Sequence, residues 1–288
     1  MTKVYDRSRS QYYEEIQYGQ KALNFLYNNL LGRLFLGLAT SKALSRFVMR
    51  RKESKRSVKD IAPFVKKYGI NMDDFEAVEY QSFNDFFTRK ARKGRRQIAA
   101  GKNGIIAVAD SKLCVYPIGK DLRMIIKQSR YDLEELLRDK DLAERFDGGV
   151  CFVYRLSVDD YHRYCFAASG GVTHTRKIKG VLHTVSSISQ RYKVFAENSR
   201  EYCLIETKNT GSIIQMEVGA ILVGRIINHD IKEAVCGEEK GYFAYGGSTI
   251  IVIYEKDRVI PDEDLLRNSQ DGIETRVKLG ERVGKVKF

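Results

Sequence analysis

What the chain lacks narrows its class first. No apolar run reaches the roughly 20 residues a bilayer-spanning helix requires, so any contact with a membrane is expected to be peripheral. The opening MTKVYDRSRS has no apolar core behind its charges and does not read as a secretory signal. Five cysteines, Cys114, Cys151, Cys165, Cys203 and Cys236, include no CxxC pair. An odd number, widely spaced and mostly inside apolar runs, reads as reduced core thiols of a cytosolic protein, and neither a disulfide frame nor a zinc site is expected. No RNA- or DNA-binding motif accompanies the basic charge, so no nucleic-acid partner is expected.

What is present fits a globular chain of one large or two modest domains: 288 residues, 43% hydrophobic and 11% aromatic. Fifty Lys and Arg against 37 Asp and Glu give +13, which favours an anionic partner without choosing among nucleic acid, acidic lipid and charged substrate.

Residues 1–20 are polar and Tyr-rich and carry no clear signal. From Gln20 to Met49 the pattern is helical, with Leu23, Leu26, Leu30, Leu34 and Leu38 spaced by three and four, bordered by Arg33, Lys42, Arg46 and the bases from Arg50 to Arg56. Such a stripe either lies in a lipid interface or packs on the domain. A second helical region spans Val58 to Tyr68, and SFNDFFTRK follows, its Phe83, Phe86 and Phe87 forming one apolar face. The basic run from Arg89 to Arg96 reads as solvated surface, or as a grip on lipid phosphate led by Arg89. Beyond Gly104 short apolar runs predict strands at 105–109, 113–118, 122–127, 150–158, 172–178, 180–185, 202–206 and 213–227. A helix capped by Ser129 or Asp132 carries Leu133, Leu136 and Leu137. Many strands with few crossover helices predict an α+β fold, a mostly antiparallel β-sheet core with N-terminal helices. The terminal VKLGERVGKVKF is similar to the paired glycine turns of lipoyl-type sandwiches, without the attachment lysine between them.

The pivotal stretch is GYFAYGGSTIIVIYE, Gly241 to Glu255, where a Gly-Gly-Ser-Thr break separates two strand-like runs. One reading is a bulge or bend, which glycine permits. The other is chemical: the Ser248 hydroxyl attacks the preceding carbonyl, turning the Gly247–Ser248 amide into an ester. Loss of the serine α-proton then eliminates the ester, and the dehydroalanine left behind hydrolyses to a pyruvoyl group.

The company of that break decides between the readings. SFNDFFTRK (82–90), AVAD (107–110), DYHR (160–163), EVGAILVG (217–224) and GGST (246–249), in this order, resemble the phosphatidylserine decarboxylase family from about Phe83 onward. The resemblance implies a self-processing proenzyme, cut between Gly247 and Ser248 into 1–247 and 248–288, whose pyruvoyl group forms an imine with the amine of phosphatidylserine and takes the electrons left by CO2. No metal is implied. The alternative is a lipid-surface binding protein of the same fold that never matures.

Resemblance also assigns residues. Asp110 stands where the family carries its triad aspartate, although Ser111 replaces the usual following glycine. His162 matches the first histidine of Asp-Tyr-His-Arg-x-His, but Cys165 stands at the second. Three substitutes for the missing base remain open: His162 serving both steps, Cys165, or His183 on a neighbouring strand. An unperturbed thiol near pKa 8.5 is a poor base at neutral pH. His162 is also the candidate proton donor, since an ordinary imidazole titrates near working pH. His174 and His229 read as ordinary polar positions. A basic, helical, membrane-associating region at 1–100 is expected beside a catalytic core at 101–288. The protein is expected peripherally on the cytoplasmic face of the cell membrane, on an anionic lipid surface, with the two cut chains held together and a homodimer as a further option.

Overall fold

A computed structural model describes residues 2–15, 19–99, 101, 103–119, 123–126, 129–185, 192–221, 225–246 and 248–287. In chain order, a hairpin of β1 (Thr2–Asp6) and β2 (Gln11–Glu15) precedes helices α1 (Gln20–Asn28), α2 (Leu30–Ala39), α3 (Lys42–Glu53), α4 (Ile61–Tyr68) and α5 (Phe83–Phe87). Strands β3 (Gly104–Ile106), β4 (Ser111–Pro117), β5 (Arg123–Ile126) and β6 (Ser129–Asp132) lead to the short helices α6 (Leu133–Leu137) and α7 (Lys140–Arg145). Then come β7 (Val150–Leu156), β8 (Arg163–Cys165), β9 (Gly170–Ile178), α8 (Val194–Glu197), β10 (Arg200–Glu206), β11 (Ser212–Gly219) and β12 (Ile226–Asn228). The chain closes with β13 (Glu233–Ala234), β14 (Glu239–Phe243), β15 (Ser248–Tyr254), β16 (Val259–Pro261), α9 (Glu263–Gln270), β17 (Glu274–Val277) and β18 (Arg282–Val286).

Ten strands form the main sheet, in the order β13-β9-β10-β11-β15-β7-β4-β17-β1-β2, and its pairs are antiparallel except β1 with β17. The α+β fold and mostly antiparallel sheet expected from the pattern are therefore present. A three-stranded sheet, β12-β14-β8, covers one face of the large one. β15 reads as an unbroken apolar run because both its faces are buried. Ile250, Val252 and Tyr254 pack with Tyr164, Phe166 and Phe243, while Ile251 and Ile253 face Leu133, Leu136 and Phe146.

Local departures from the sequence reading have local causes. The stripe from Gln20 to Met49 is broken into three helices, because Asn29 caps α2 by accepting from the Leu31 and Gly32 amides and Ser41 caps α3 through Leu44. Gly32 is required there: a Cβ on it would lie 1.9 Å from the Phe25 carbonyl oxygen. Residues 129–132 form β6, so Asp132 and not Ser129 is the cap of α6. Residues 180–185 are no strand but a single bridge from Val181 to Asn198, and the run at 213–227 divides into β11 and β12. The uninformative first residues form the hairpin, which extends the main sheet beyond β17.

Charged groups tie these layers together inside the protein. Arg155 on β7 binds Glu274 on β17 and Glu15 on β2, while Lys112 on β4 lies 3.1 Å from Glu15 and 2.8 Å from Asp160. Between the two sheets, Lys240 Nζ donates to Glu217 at 2.6 Å and to Asn228 at 3.0 Å. A buried pair of this kind contributes less than its breakage costs, because a remaining partner is left charged and dry. Lys240→Met is accordingly expected to lower stability by about 3–5 kcal/mol in thermal or urea unfolding, and adding Glu217→Leu to restore most of the loss. A double variant as unstable as the single one would contradict this.

Candidate active site

The chain passes from the small sheet to the large one between Phe243 and Ser248. The crossing is pinned at its start: the Ala244 amide donates to the Arg225 carbonyl and the Tyr245 amide to Asn84 Oδ1, both at 3.0 Å. Asn84 lies in the SFNDFF segment, whose Phe83 and Phe87 rings each pack 5.3 Å from Tyr245. Gly246 has φ +133°, a backbone state that glycine tolerates and other residues rarely adopt. Gly247, half of the expected cleavage site, lies outside the described residues, as do positions 222–224 of the EVGAILVG segment.

Ser248 opens β15 in the middle of the sheet, opposite Gly219 of β11 and Leu156 of β7. Its side chain is fully buried, and its hydroxyl has no hydrogen-bond partner among the described residues. Burying a hydroxyl unpaired costs about 1–3 kcal/mol, so such a group calls for a functional account.

A second orphan atom is His162 Nε2. The ring is fully buried and packs 4.1 Å from Phe87. Its Nδ1 lies 2.9 Å from the Asp160 carbonyl oxygen, which can only accept, so Nδ1 carries the proton and Nε2 keeps its lone pair. Burial drives the imidazole down to about 3, helped by the positive charges of Arg89 and Lys112 and opposed by the Asp160 and Gly246 backbone. The Gly246 backbone, two residues ahead of Ser248, is thus close enough to act on the ring. His162 is a neutral base at physiological pH. The Asp160 carbonyl is held in turn by Arg89, which donates to it at 3.4 Å and to the Asp159 carbonyl at 3.3 Å. The Asp160 carboxylate accepts from the Ser157 amide at 2.7 Å and from Lys112.

The other sequence candidates lie elsewhere or are otherwise engaged. Asp110 is gripped by Arg96 through both carboxylate oxygens, at 2.9 and 2.7 Å, and by the Leu279 amide at 2.9 Å, and bonds no histidine among the described residues. Cys165 is buried on β8, and burial pushes its thiol far above neutral pH, leaving it protonated and unsuited to act as a base. His183 Nδ1 lies 3.1 Å from the Tyr27 hydroxyl, its Nε2 is 3.5 Å from Glu197, and its ring stacks on Tyr192 at 4.5 Å. Its backbone is tied to the strand beside the break, since Asn198 Nδ2 donates both to the His183 carbonyl and to the carbonyl of Gly219, the strand partner of Ser248.

Arg89 corrects a sequence expectation. It is 2% exposed, set over the Phe75 and Phe86 rings at 4.3 and 4.9 Å, and burial lowers it to about 10. It braces the His162 loop from inside and is no part of a solvated phosphate grip. Lys112 and Asn198 were missed because each acts across the sheet on a residue far away in sequence. Asn84 and Asp160 stood inside quoted motifs whose spacing gave them no role.

A ring at about 3 stays neutral where an ordinary imidazole near 6.5 becomes charged. Its proton affinity in the folded chain is below that of the unfolded chain, so its contribution to stability is present above about pH 6.5 and fades as pH falls towards 3. If His162 is the base, cutting of freshly translated chain, followed on denaturing gels, is expected to stay within about twofold from about pH 8 to about pH 5. A rate that halves near pH 6.5 would contradict this.

Comparison with known proteins identifies the family. The family model described as phosphatidylserine decarboxylase matches residues 83–285. The chain is 47% identical to phosphatidylserine decarboxylase proenzyme 2 of Clostridium acetobutylicum, over 98% of each chain. It is 38% identical to the Fusobacterium nucleatum proenzyme over 93% of this chain and 92% of that one, and 39% identical to that of Clostridium tetani over 99% and 98%. Similarity over this length, on top of the shared motifs, makes the chain a member of the phosphatidylserine decarboxylase family.

Proposed function

We propose that the chain is a self-processing proenzyme that decarboxylates phosphatidylserine to phosphatidylethanolamine, with Ser248 the precursor of its pyruvoyl group. The observation that carries this reading is that Ser248 Oγ and His162 Nε2 are both buried without a hydrogen-bond partner among the described residues, with the His162 carbonyl accepting from the Phe243 amide where the chain enters the break. His162 Nε2 takes the hydroxyl proton as Oγ adds to the Gly247 carbonyl, and returns it to the departing Ser248 nitrogen, leaving an ester. Removal of the Ser248 α-proton then expels the Gly247 carboxylate. Water replaces the freed nitrogen, which leaves as ammonia, and the new terminus is a ketone.

A buried hydroxyl without a hydrogen-bond partner among the described residues, at a glycine-rich break, fits the precursor of that group. Once formed, the pyruvoyl group supplies an electron sink for the pair left by departing CO2. The chain's own part is to hold the site dry and to manage protons. A neutral ring whose Nδ1 proton is committed to Asp160 is suited to accept at Nε2 and give back, in place of the imidazolium donor inferred from an ordinary pKa. Asp110 and His183, engaged by Arg96 and Tyr27, are supporting residues in this reading.

The two products would stay together without a covalent link. Residues 248–288 contribute β15 between β11 and β7, and β17 between β4 and β1.

The membrane side of the reading rests on α2. Leu30, Leu34 and Leu38, with Leu31 and Phe35, are exposed, and Arg50, Arg51, Lys55 and Arg56 follow in and after α3. No helix among the described residues is long and apolar enough to cross a membrane. Peripheral attachment of this N-terminal region to the anionic cytoplasmic face is therefore proposed.

Intact mass tests the first part: two fragments meeting between Gly247 and Ser248 are expected from the natural chain. Ser248→Ala and His162→Ala should each give one uncut species, and His183→Ala should still cut. A natural chain that stays whole would indicate a protein that never matures. For the second part, Leu34→Glu with Leu38→Glu is expected to weaken sedimentation with anionic vesicles at least tenfold, as losing about 1.5–3 kcal/mol of burial per leucine implies. Cutting should be unaffected, and unchanged sedimentation would contradict the membrane role of α2.

A further inference from the structure

A groove of about 550 Å3 opens between α3 and the strands β9, β10 and β12, with Gly219, the strand partner of Ser248, in its wall. Its lining is amphiphilic. Met49, Ile178 and Leu182 are buried apolar side chains in it, and six cations face two carboxylates across it. Both carboxylates are already neutralised, Glu53 by Arg225 at 2.7 Å and Glu201 by Lys177 at 3.1 Å. Arg200 spends its guanidinium on the carbonyls of Glu135, Leu136, Ala196 and Asn198. Arg50 and Lys179 make no ion pair among the described residues.

One further polar residue borders the groove. Ser45 on α3 is 2% exposed, lines the groove, and its hydroxyl has no hydrogen-bond partner among the described residues. A helical serine commonly bonds back to the preceding turn, and this one does not. A groove that two cations without an ion pair among the described residues share with a buried serine and an apolar wall suits a phosphodiester attached to an acyl-bearing glycerol. The groove borders α3, which follows α2, whose Leu34 and Leu38 are exposed.

We propose that this groove is the phosphodiester and glycerol subsite of the lipid substrate, with Ser45, Arg50 and Lys179 receiving the phosphate while the serine headgroup reaches past Gly219 to residue 248. This rests on the reading of phosphatidylserine as substrate and adds where its phosphate is held. The basic selectivity comes from α3 and the end of β9, and not from the run that follows Phe87.

The test uses matured enzyme and dihexanoyl phosphatidylserine below its micelle concentration, so that vesicle binding plays no part. Arg50→Gln with Lys179→Gln is expected to raise KM about tenfold, equivalent to about 1.4 kcal/mol, with kcat nearly unchanged. Ser45→Ala should raise KM a few-fold. Arg50→Lys with Lys179→Arg, which keeps both charges, should behave as the natural enzyme. Gels and hydroxylamine-trapped carbonyl must show the same cutting and pyruvoyl content in each, which separates a lost subsite from a misfolded chain. Glycerophosphoserine should compete with the substrate; inorganic phosphate competing equally well would assign the groove to free phosphate and overturn the lipid assignment. An unchanged KM in the fully matured charge-neutralised variant would overturn it as well. Natural enzyme that turns over no phosphatidylserine would remove the underlying reading, a different failure from natural turnover with an indifferent groove.

Discussion

One hydrogen bond in a dry interior underlies the proposed chemistry of this protein: the Nδ1 proton of His162 on the Asp160 carbonyl. It fixes the tautomer, so the lone pair must sit on Nε2, and burial with nearby positive charge keeps the resting ring neutral. The carbonyl that does this is itself fixed from two directions. Arg89 reaches it from its place over two aromatic rings, and Lys112 holds the carboxylate of the same residue. Lys112 also meets Glu15 of the N-terminal hairpin, so residues more than a hundred positions apart converge on one ring orientation. A buried charge network is a weak source of stability and a strong source of geometry.

Placing the reactive bond at the start of a central strand answers a mechanical need. Cutting a surface loop would leave a new end free to move, whereas Ser248 is registered against Gly219 on one side and Leu156 on the other. After the proposed cut the hydrogen bonds of β15 and β17 would remain, so a group made from Ser248 would inherit the position of the serine. The sandwich of small and large sheets keeps water from that position, where proton transfers and a developing carbanion are sensitive to it.

The sequence made the reactive break readable because it disturbs a local pattern: two glycines and two hydroxyl residues interrupt an apolar run that is buried on both faces. The antiparallel sheet was legible for the same reason, since its strands are short apolar runs between polar breaks. Long-range roles were not. Arg89 sits at the head of a run of bases, and nothing local tells it from Lys90, which is exposed, while Arg89 turns inward onto Phe75 and Phe86. Residues 180–185 look like a strand from composition, yet their backbone is taken up by Asn198 and Ser199, which no period reveals. The first fifteen residues hide a hairpin because an edge position leaves its strands half polar. His183 drew attention as a spare imidazole near the right strand, and only the Tyr27 hydroxyl, from a helix far upstream, shows that its ring turns elsewhere.

The protonation state of His162 tests this account most directly. In uncut Ser248→Ala chain labelled with 15N at histidine, the His162 ring is expected to show one protonated nitrogen, Nδ1, unchanged from about pH 8 to about pH 5, as a group brought down to about 3 must. A His162 ring protonated on Nε2 instead, or one that titrates near 6.5, would contradict it.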